Sequence, residues 1–270
     1  MKISDKQIEF FNTFGYLKLP GLLYSKYELI ESAFEQCWSN FSQYPKPFVR
    51  FEHGFLFQIA ESHPELLSVL ISYEIEDVVT SLLGSNFQYV GSKGNRFHGD
   101  TPWHRDSLDE FNRLKSIHAL IYLDELNEDS GCIRVIPGSH RILEPYSQIA
   151  GKIAIQSNNE IRPWVLDINI PHVSIPSKPG DIILINHNIV HGSQGGGDDR
   201  RLLSFNFWEE IPDSETEGFL AYLCKHSSFN VETVIGSVMQ DLLDQEWGKH
   251  CRQVSDHRDI TRKAWHKWKV

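Results

Sequence analysis

The sequence predicts a mainly β core with flanking helices. Two observations carry this. Between Phe87 and Trp208, short runs rich in β-branched and aromatic residues alternate with glycine and proline turns, the pattern of a sandwich or barrel. Before and after that stretch, apolar residues recur at helical spacing. At 270 residues the chain can bury a substantial core, and a single all-β barrel commonly reaches this size. The expected organisation is one domain over 1–270, with helical support over 1–86, the β core over 87–208 and a C-terminal helical segment over 209–270.

In chain order, Ser4 to Gln7 has the form of a capping box, in which the two side chains satisfy amides of the first turn. Ile8, Phe10, Phe11 and Phe14 then supply an apolar face, and Gly15 stops the helix. Residues 16–20 read as a short strand running into a turn at Pro20. A second helix is expected from 25 to about 40, with Leu29, Ile30, Ala33, Phe34, Cys37 and Trp38 inward. One or two more fill 64–83 and close at Gly84.

Six β-rich runs follow, at 87–90, 116–123, 133–136, 165–170, 182–185 and 202–208. Gly131, Pro137-Gly138, Pro179-Gly180 and Gly195 to Gly197 turn the chain between them. The connections over 106–115 and 141–162 read as loops, and long connections in compact domains often carry binding residues. A last helix is expected from Val231 to about Trp247. The basic tail holding Trp265 and Trp268 also contains Asp256 and Asp259, so it reads as a solvated face docking two tryptophans, not as a nucleic-acid arm.

Charge and composition narrow the function classes. A net charge of -10 argues against a general nucleic-acid surface. Neither a signal-peptide pattern nor an apolar run approaching the ~20 residues that cross a bilayer is found. Cys37, Cys132, Cys224 and Cys251 are scattered without Cys-x-x-Cys spacing, as expected of reduced, buried thiols in a cytoplasmic protein. The glycines at 195 to 197 lack the Lys-Ser/Thr that follows a phosphate-binding loop, so a flexible turn is expected there.

The chemistry concentrates around Thr101-Pro102-Trp103-His104-Arg105-Asp106. On an extended segment His104 and Asp106 project to one face, so one strand end can offer a nitrogen and an oxygen to a metal. A further histidine from another strand would complete two histidines and a carboxylate, a set that suits non-haem Fe(II) and leaves positions open. His98 and Asp100 have the same spacing. For the distal histidine, His187 and His191 share strand parity, so residues alone leave both choices open.

Context resolves them. Gly131-Cys132-Ile133-Arg134-Val135-Ile136-Pro137-Gly138-Ser139-His140, then Gly180-Asp181-Ile182-Ile183-Leu184, then His191-Gly192-Ser193 follow His104 and Asp106 in order. Over about residues 7–208 this series resembles the phytanoyl-CoA dioxygenase family of Fe(II)/2-oxoglutarate oxygenases. The resemblance implies a double-stranded β-helix (jelly roll, cupin-like). It places Fe(II) on His104, Asp106 and His191, with His98, Asp100 and His187 as neighbours of that site. It also implies 2-oxoglutarate and O2 as co-substrates, with the far carboxylate of 2-oxoglutarate held by an arginine on the strand after the distal histidine.

Arg200 and Arg201 compete for that role. The phase of a small polar residue four positions on, Ser204, selects Arg200, although the gap from His191 is shorter than the family's usual spacing. Ser193 matches a family residue that adds a hydrogen bond to the same carboxylate, whereas Leu120 stands where many relatives carry Trp. The implied reaction is hydroxylation of an aliphatic carbon of a small-molecule substrate, with succinate and CO2 as co-products. Related halogenases have a small residue in place of Asp106, which favours hydroxylation here. Motif position alone nominates Arg96, Trp103, Arg105, Asn186 and Trp208 as substrate contacts. Neither a nucleic acid nor a membrane is an expected partner, and oligomeric state is not readable. Two rival readings are a jelly-roll hydrolase or isomerase using Zn or Mn in the same triad, and a non-catalytic small-molecule binder. Neither needs a buried cation such as Arg200.

Overall fold

The computed structural model describes residues 2–40, 54–106, 111, 113–159, 171–226, 239, 241–243 and 245–251. Helix α1 (Asp5–Phe14) opens on the expected box: the Ser4 Oγ accepts from the Gln7 amide at 3.3 Å, and the Gln7 Oε1 accepts from the Ser4 amide at 2.9 Å. It ends at Gly15, whose φ of +80° is costly for any residue with a β-carbon. Strand β1 (Tyr16–Leu19), α2 (Tyr27–Ser39), β2 (Gly54–Phe57), α3 (Ile59–Ser62), α4 (Pro64–Leu70) and α5 (Tyr73–Leu83) complete the first third.

The β core follows as β3 (Gln88–Phe97), β4 (Thr101–His104), β5 (Ser116–Tyr122), β6 (Ile133–Val135), β7 (Val173–Ile175), β8 (Ile182–Ile185), β9 (His191–Ser193) and β10 (Arg200–Trp208). Helix α6 (Pro145–Asn159) lies between β6 and β7, and α7 (Asp213–His226) follows β10. The strands form two sheets of antiparallel pairs, ordered β1-β8-β5-β10-β3-β2 and β4-β9-β6-β7. Facing sheets with helices outside are the expected helix-flanked jelly roll.

Strand parity builds two cores. From β10, Leu203, Phe205 and Phe207 join Ile117, Ala119 and Ile121 of β5 in packing against Ile30, Phe34, Leu66, Leu70 and Val78 of the helices. Leu202, Leu120, Tyr122, Ile183 and Ile185 point the other way and meet Ile133, Val135 and Ile175 of the smaller sheet. Strand β5 is therefore covered on both faces, which is why all seven of its residues are buried. The polar groups of the site occupy the same inter-sheet space.

Several expectations need correction. The connection over 141–162 is not a plain loop, because it carries α6, whose Ala150 packs with Trp103, Ile136 and Val190. The run at 87–90 extends to Phe97; Gly91, Lys93, Gly94 and Asn95 read as turn residues but are paired by β10 on one side and largely by β2 on the other. Strand pairing overrides their weak β-propensity. The second helix begins as a 3-10 turn at Tyr24–Lys26, and Leu29 is exposed, not inward. Strands β2 and β7 and helix α3 were not anticipated, and all are four residues or shorter. The expected strand at 165–170 and the tail with Trp265 and Trp268 lie outside the described residues, as does most of the helix expected from Val231. Its far end is a 3-10 helix, Glu246–Cys251. All four cysteines are free and buried, and no helix among the described residues is long and apolar enough to cross a membrane.

Candidate metal centre

His104 and His191 sit directly opposite one another in the β4–β9 ladder, which brings their ring centroids to 4.2 Å. Asp106 lies just past the end of β4, where its amide donates to the His187 carbonyl at 3.0 Å. Its carboxylate then falls 3.6 Å from the His104 Nε2 and 3.7 Å from the His191 Nε2. One nitrogen or oxygen from each residue lies within 4.8 Å of the others.

The backbone sets the tautomers. The Nδ1 of His104 faces the Pro102 carbonyl at 2.7 Å, and that of His191 faces the Ile189 carbonyl at 3.1 Å. A carbonyl only accepts, so in each ring Nδ1 carries the proton and donates. In the neutral ring this leaves the lone pair on Nε2, on the side of the Asp106 carboxylate, which is the outer-sphere arrangement metal-binding histidines need. Burial and the adjacent His104 push the His191 imidazole down to about 3, so it is neutral at ordinary pH. Burial alone would raise Asp106, but His191, His118 and His104 outweigh it and hold the carboxyl well below its usual range. For His104 burial acts against the charged form, yet the hydrogen bond and charge of Asp106 prevail and raise it. Two imidazole nitrogens and one ionised oxygen converging from one side fit a ferrous ion.

Arg200 of β10 is buried on the same side of its strand as Leu202, which packs between the sheets. Its Nη1 donates to the Gly131 carbonyl and its Nη2 to the Gly99 carbonyl, each at 2.6 Å, and the guanidinium lies over Phe97 at 5.6 Å. Glycine makes the room: a β-carbon on Gly196 would lie 2.7 Å from the Arg200 Nε, and one on Gly131 at 2.9 Å. The Arg200 Nε and the hydroxyls of Ser193 and Ser204 are buried without a protein hydrogen-bond partner among the described residues. Such orphaned donors match the far carboxylate of a keto-diacid, so the residues fit 2-oxoglutarate as well as iron.

Arg201, of opposite parity, faces the helices, where it pairs with Asp124 at 2.7 Å, Glu31 at 2.9 Å and Glu35 at 3.0 Å. It is removed as a co-substrate anchor. Parity also removes Arg96, which pairs with Glu35 and Asp199 and lies over Phe34 and Trp38. Trp103 points away from His104 into the cluster beneath α6. Arg105 donates to the Ser139 and Ser147 carbonyls at 2.9 and 2.8 Å, tying the end of β4 to α6. The Asn186 Oδ1 accepts from the Asn188 amide at 2.9 Å and shapes the turn before β9. Asp100 accepts from the Gly195 and Gly196 amides, pinning the glycine turn, while His98 lies 3.7 Å from Asp198. Neither reaches the triad.

Trp208 does line the site. It stacks on His187 at 5.5 Å beside a cavity of about 120 Å³ that Asp106, Phe57, Gln58, Lys93, His118, Asn206, Tyr222 and Leu223 also border. His187, expected as a buried neighbour, is that: its Nε2 lies 2.9 Å from the Asn206 Oδ1, and burial pushes it down to about 4. Sequence reasoning missed His118, whose Nδ1 lies 2.8 Å from the Asp106 Oδ2. The available signal was parity, since Ser116, His118, Leu120 and Tyr122 alternate on the inner face of β5. Lys93 was missed because its strand was cut short.

Comparison with known proteins fits this geometry. The family model of phytanoyl-CoA dioxygenase matches residues 50–202. Dioxygenase lolE1 of Epichloe uncinata is 24% identical over 252 residues, covering 83% of this chain and 91% of that protein. Ectoine dioxygenase of Sphingopyxis alaskensis is 29% identical over 160 residues, 52% of each chain. The structure of the S. alaskensis protein EctD with 2-oxoglutarate and 5-hydroxyectoine superposes with a TM-score of 0.61 at 21% identity, covering 77% of this chain and 76% of that one, a likeness of fold.

Proposed function

The chain belongs to the phytanoyl-CoA dioxygenase family, and from that premise we propose that this 2-oxoglutarate-dependent non-haem iron dioxygenase hydroxylates an aliphatic carbon of a small-molecule substrate. One observation carries the assignment to residues: His104, Asp106 and His191 converge with the Nδ1 of each histidine held by a backbone carbonyl. In this reading those three hold Fe(II), and Arg200 and Ser193 hold the far carboxylate of 2-oxoglutarate. When bound, iron and 2-oxoglutarate supply with O2 the oxidising power the side chains lack, and the co-substrate leaves as succinate and CO2.

The chain's own residues supply the rest. Asp106 stays ionised, and His118 pins one of its oxygens so that the carboxylate cannot rotate freely. Arg200 offers a planar donor fork in a site where burial keeps water away, the setting in which a bidentate carboxylate contact is strongest. Trp208, Phe57 and Leu223 wall the cavity with apolar surface, which limits solvent at the reacting carbon. That a relative is named for ectoine, a small polar compound, supports a substrate of that size. The four buried free thiols support a cytoplasmic setting.

The test is turnover with isotopically labelled O2, Fe(II) and 2-oxoglutarate against a metabolite panel. Label should appear in a hydroxylated product in step with succinate, and Asp106→Ala should abolish both. Unlabelled product, or turnover that survives Asp106→Ala, would overturn the proposal.

A further inference from the structure

The cavity beside Asp106 carries polar atoms that the iron and co-substrate reading leaves unused. Lys93 borders it with its ammonium 5.9 Å from the Phe57 ring centroid, and among the described residues no carboxylate pairs with that charge. The Nδ1 of His187 and the Nε2 of His118 are buried and without a protein hydrogen-bond partner among the described residues. Both rings belong to residues less than a tenth exposed, and they stack in parallel at 5.4 Å.

Hydrogen bonding decides what these atoms offer. The Asn206 Nδ2 donates to the Gly91 carbonyl at 3.1 Å, which fixes the amide so that its Oδ1 faces His187. His187 must therefore donate from Nε2, and its Nδ1 presents a lone pair. His118 donates from Nδ1 to the Asp106 carboxylate and so belongs to the metal centre. The wall sets one unneutralised, half-buried cation beside the imidazole of His187. A partly desolvated charge without a counter-charge is costly, so its complement is a molecule bringing an anion. A cavity of about 120 Å³ holds on the order of eight water-sized groups at roughly 15 Å³ each.

We propose that the primary substrate carries an acidic group and that Lys93 binds it. This rests on the dioxygenase reading and names the substrate class of that site. Neutral amides leave the Lys93 charge without a partner.

The experiment compares short amino acids and hydroxy acids, each beside its own primary amide, as stimulators of succinate release by the Fe(II)-loaded enzyme. At least one acid should stimulate about tenfold or more beyond its amide, the scale of one charge-assisted hydrogen bond. Lys93→Met should erase that difference, and Lys93→Arg should retain most of it. Amides that stimulate as well as acids, a panel in which no acid stimulates, or an acid preference that survives in Lys93→Met would each overturn the proposal. Binding of 2-oxoglutarate itself is measured in parallel by its visible band with Fe(II) under anaerobic conditions. If Lys93→Met abolishes that band, Lys93 anchors the co-substrate and the proposal fails. If the unmodified protein gives no band, it is the dioxygenase reading that fails.

Discussion

His118 and Asp106 meet at 2.8 Å, and what that contact does can be measured. If the imidazole orients the carboxylate for a metal, His118→Ala should weaken Fe(II) binding about 10- to 100-fold. Unchanged affinity in an Fe(II) titration would reduce the contact to packing. Two adjacent arginines make a second test at this scale. Arg200 faces the space between the sheets, and Arg201 faces three carboxylates on the helical side. Losing a charged donor to a buried carboxylate costs about 1.5–3 kcal/mol, so Arg200→Leu should raise the 2-oxoglutarate dissociation constant roughly 10- to 150-fold. Arg201→Gln should leave that constant within about twofold and lower the urea midpoint instead. The opposite pattern would exchange the two roles. The sequence already favoured Arg200 through the position of Ser204, but His118 was passed over despite its strand parity with Leu120, because a histidine on a buried strand is usually a satisfied core residue.

The elements that present these side chains were legible to different degrees, for physical reasons. The bounds of helix α1 were legible because its stop and start signals are local, a box between Ser4 and Gln7 and a left-handed glycine at 15. Its expected apolar face was not, since only Phe11 is buried while Phe10 and Phe14 are exposed. Ser4→Ala should cost about 1 kcal/mol in urea unfolding, and no measurable change would mean that the cap does not act. Strand β3 was half legible. Its second half draws its order from pairing with β10 and β2, partners distant in sequence, so the run expected from local composition stopped at Val90. That half carries Lys93 and Asn95, and the error hid part of the site. Helix α6 was missed because Pro145 and Gly151 break its pattern. The glycine turn after β9 was identified as a turn but not for its purpose. Gly196 leaves space for the Arg200 guanidinium, and a β-carbon there would also lie 2.4 Å from the Gly99 carbonyl oxygen. Gly196→Ala should therefore weaken 2-oxoglutarate binding while leaving Fe(II) affinity nearly unchanged. Equal losses of both would point to general disruption of the turn.

Over the whole molecule, one apolar cluster runs from Ile3 through the helices and the larger sheet to Cys251. This supports treating the chain as a single unit, whose unfolding by urea should give coincident transitions in far-UV circular dichroism and tryptophan fluorescence. Separated transitions would divide it. His250 adds a pH dependence to that stability. It stacks on Phe87 at 3.6 Å with its Nδ1 2.9 Å from the Phe87 carbonyl, and burial pushes it from its ordinary 6.5 down to about 4. Between those values the unfolded chain binds a proton that the folded chain excludes. Stability is therefore full above 6.5 and is lost as pH falls toward about 4. The urea midpoint should fall over that window, and less steeply in His250→Phe, whatever that substitution costs at neutral pH. An equally steep fall in the variant would clear His250 of the effect.

That a ferrous ion and a keto-diacid are held together between the two sheets is tested most directly by anaerobic titration of the purified protein with Fe(II) and 2-oxoglutarate, followed in the visible spectrum. A weak charge-transfer band should grow only when both are present, saturate at one equivalent of each, and vanish in His191→Ala. No band in the unmodified protein, or one that persists undiminished without His191, would contradict the site as built here.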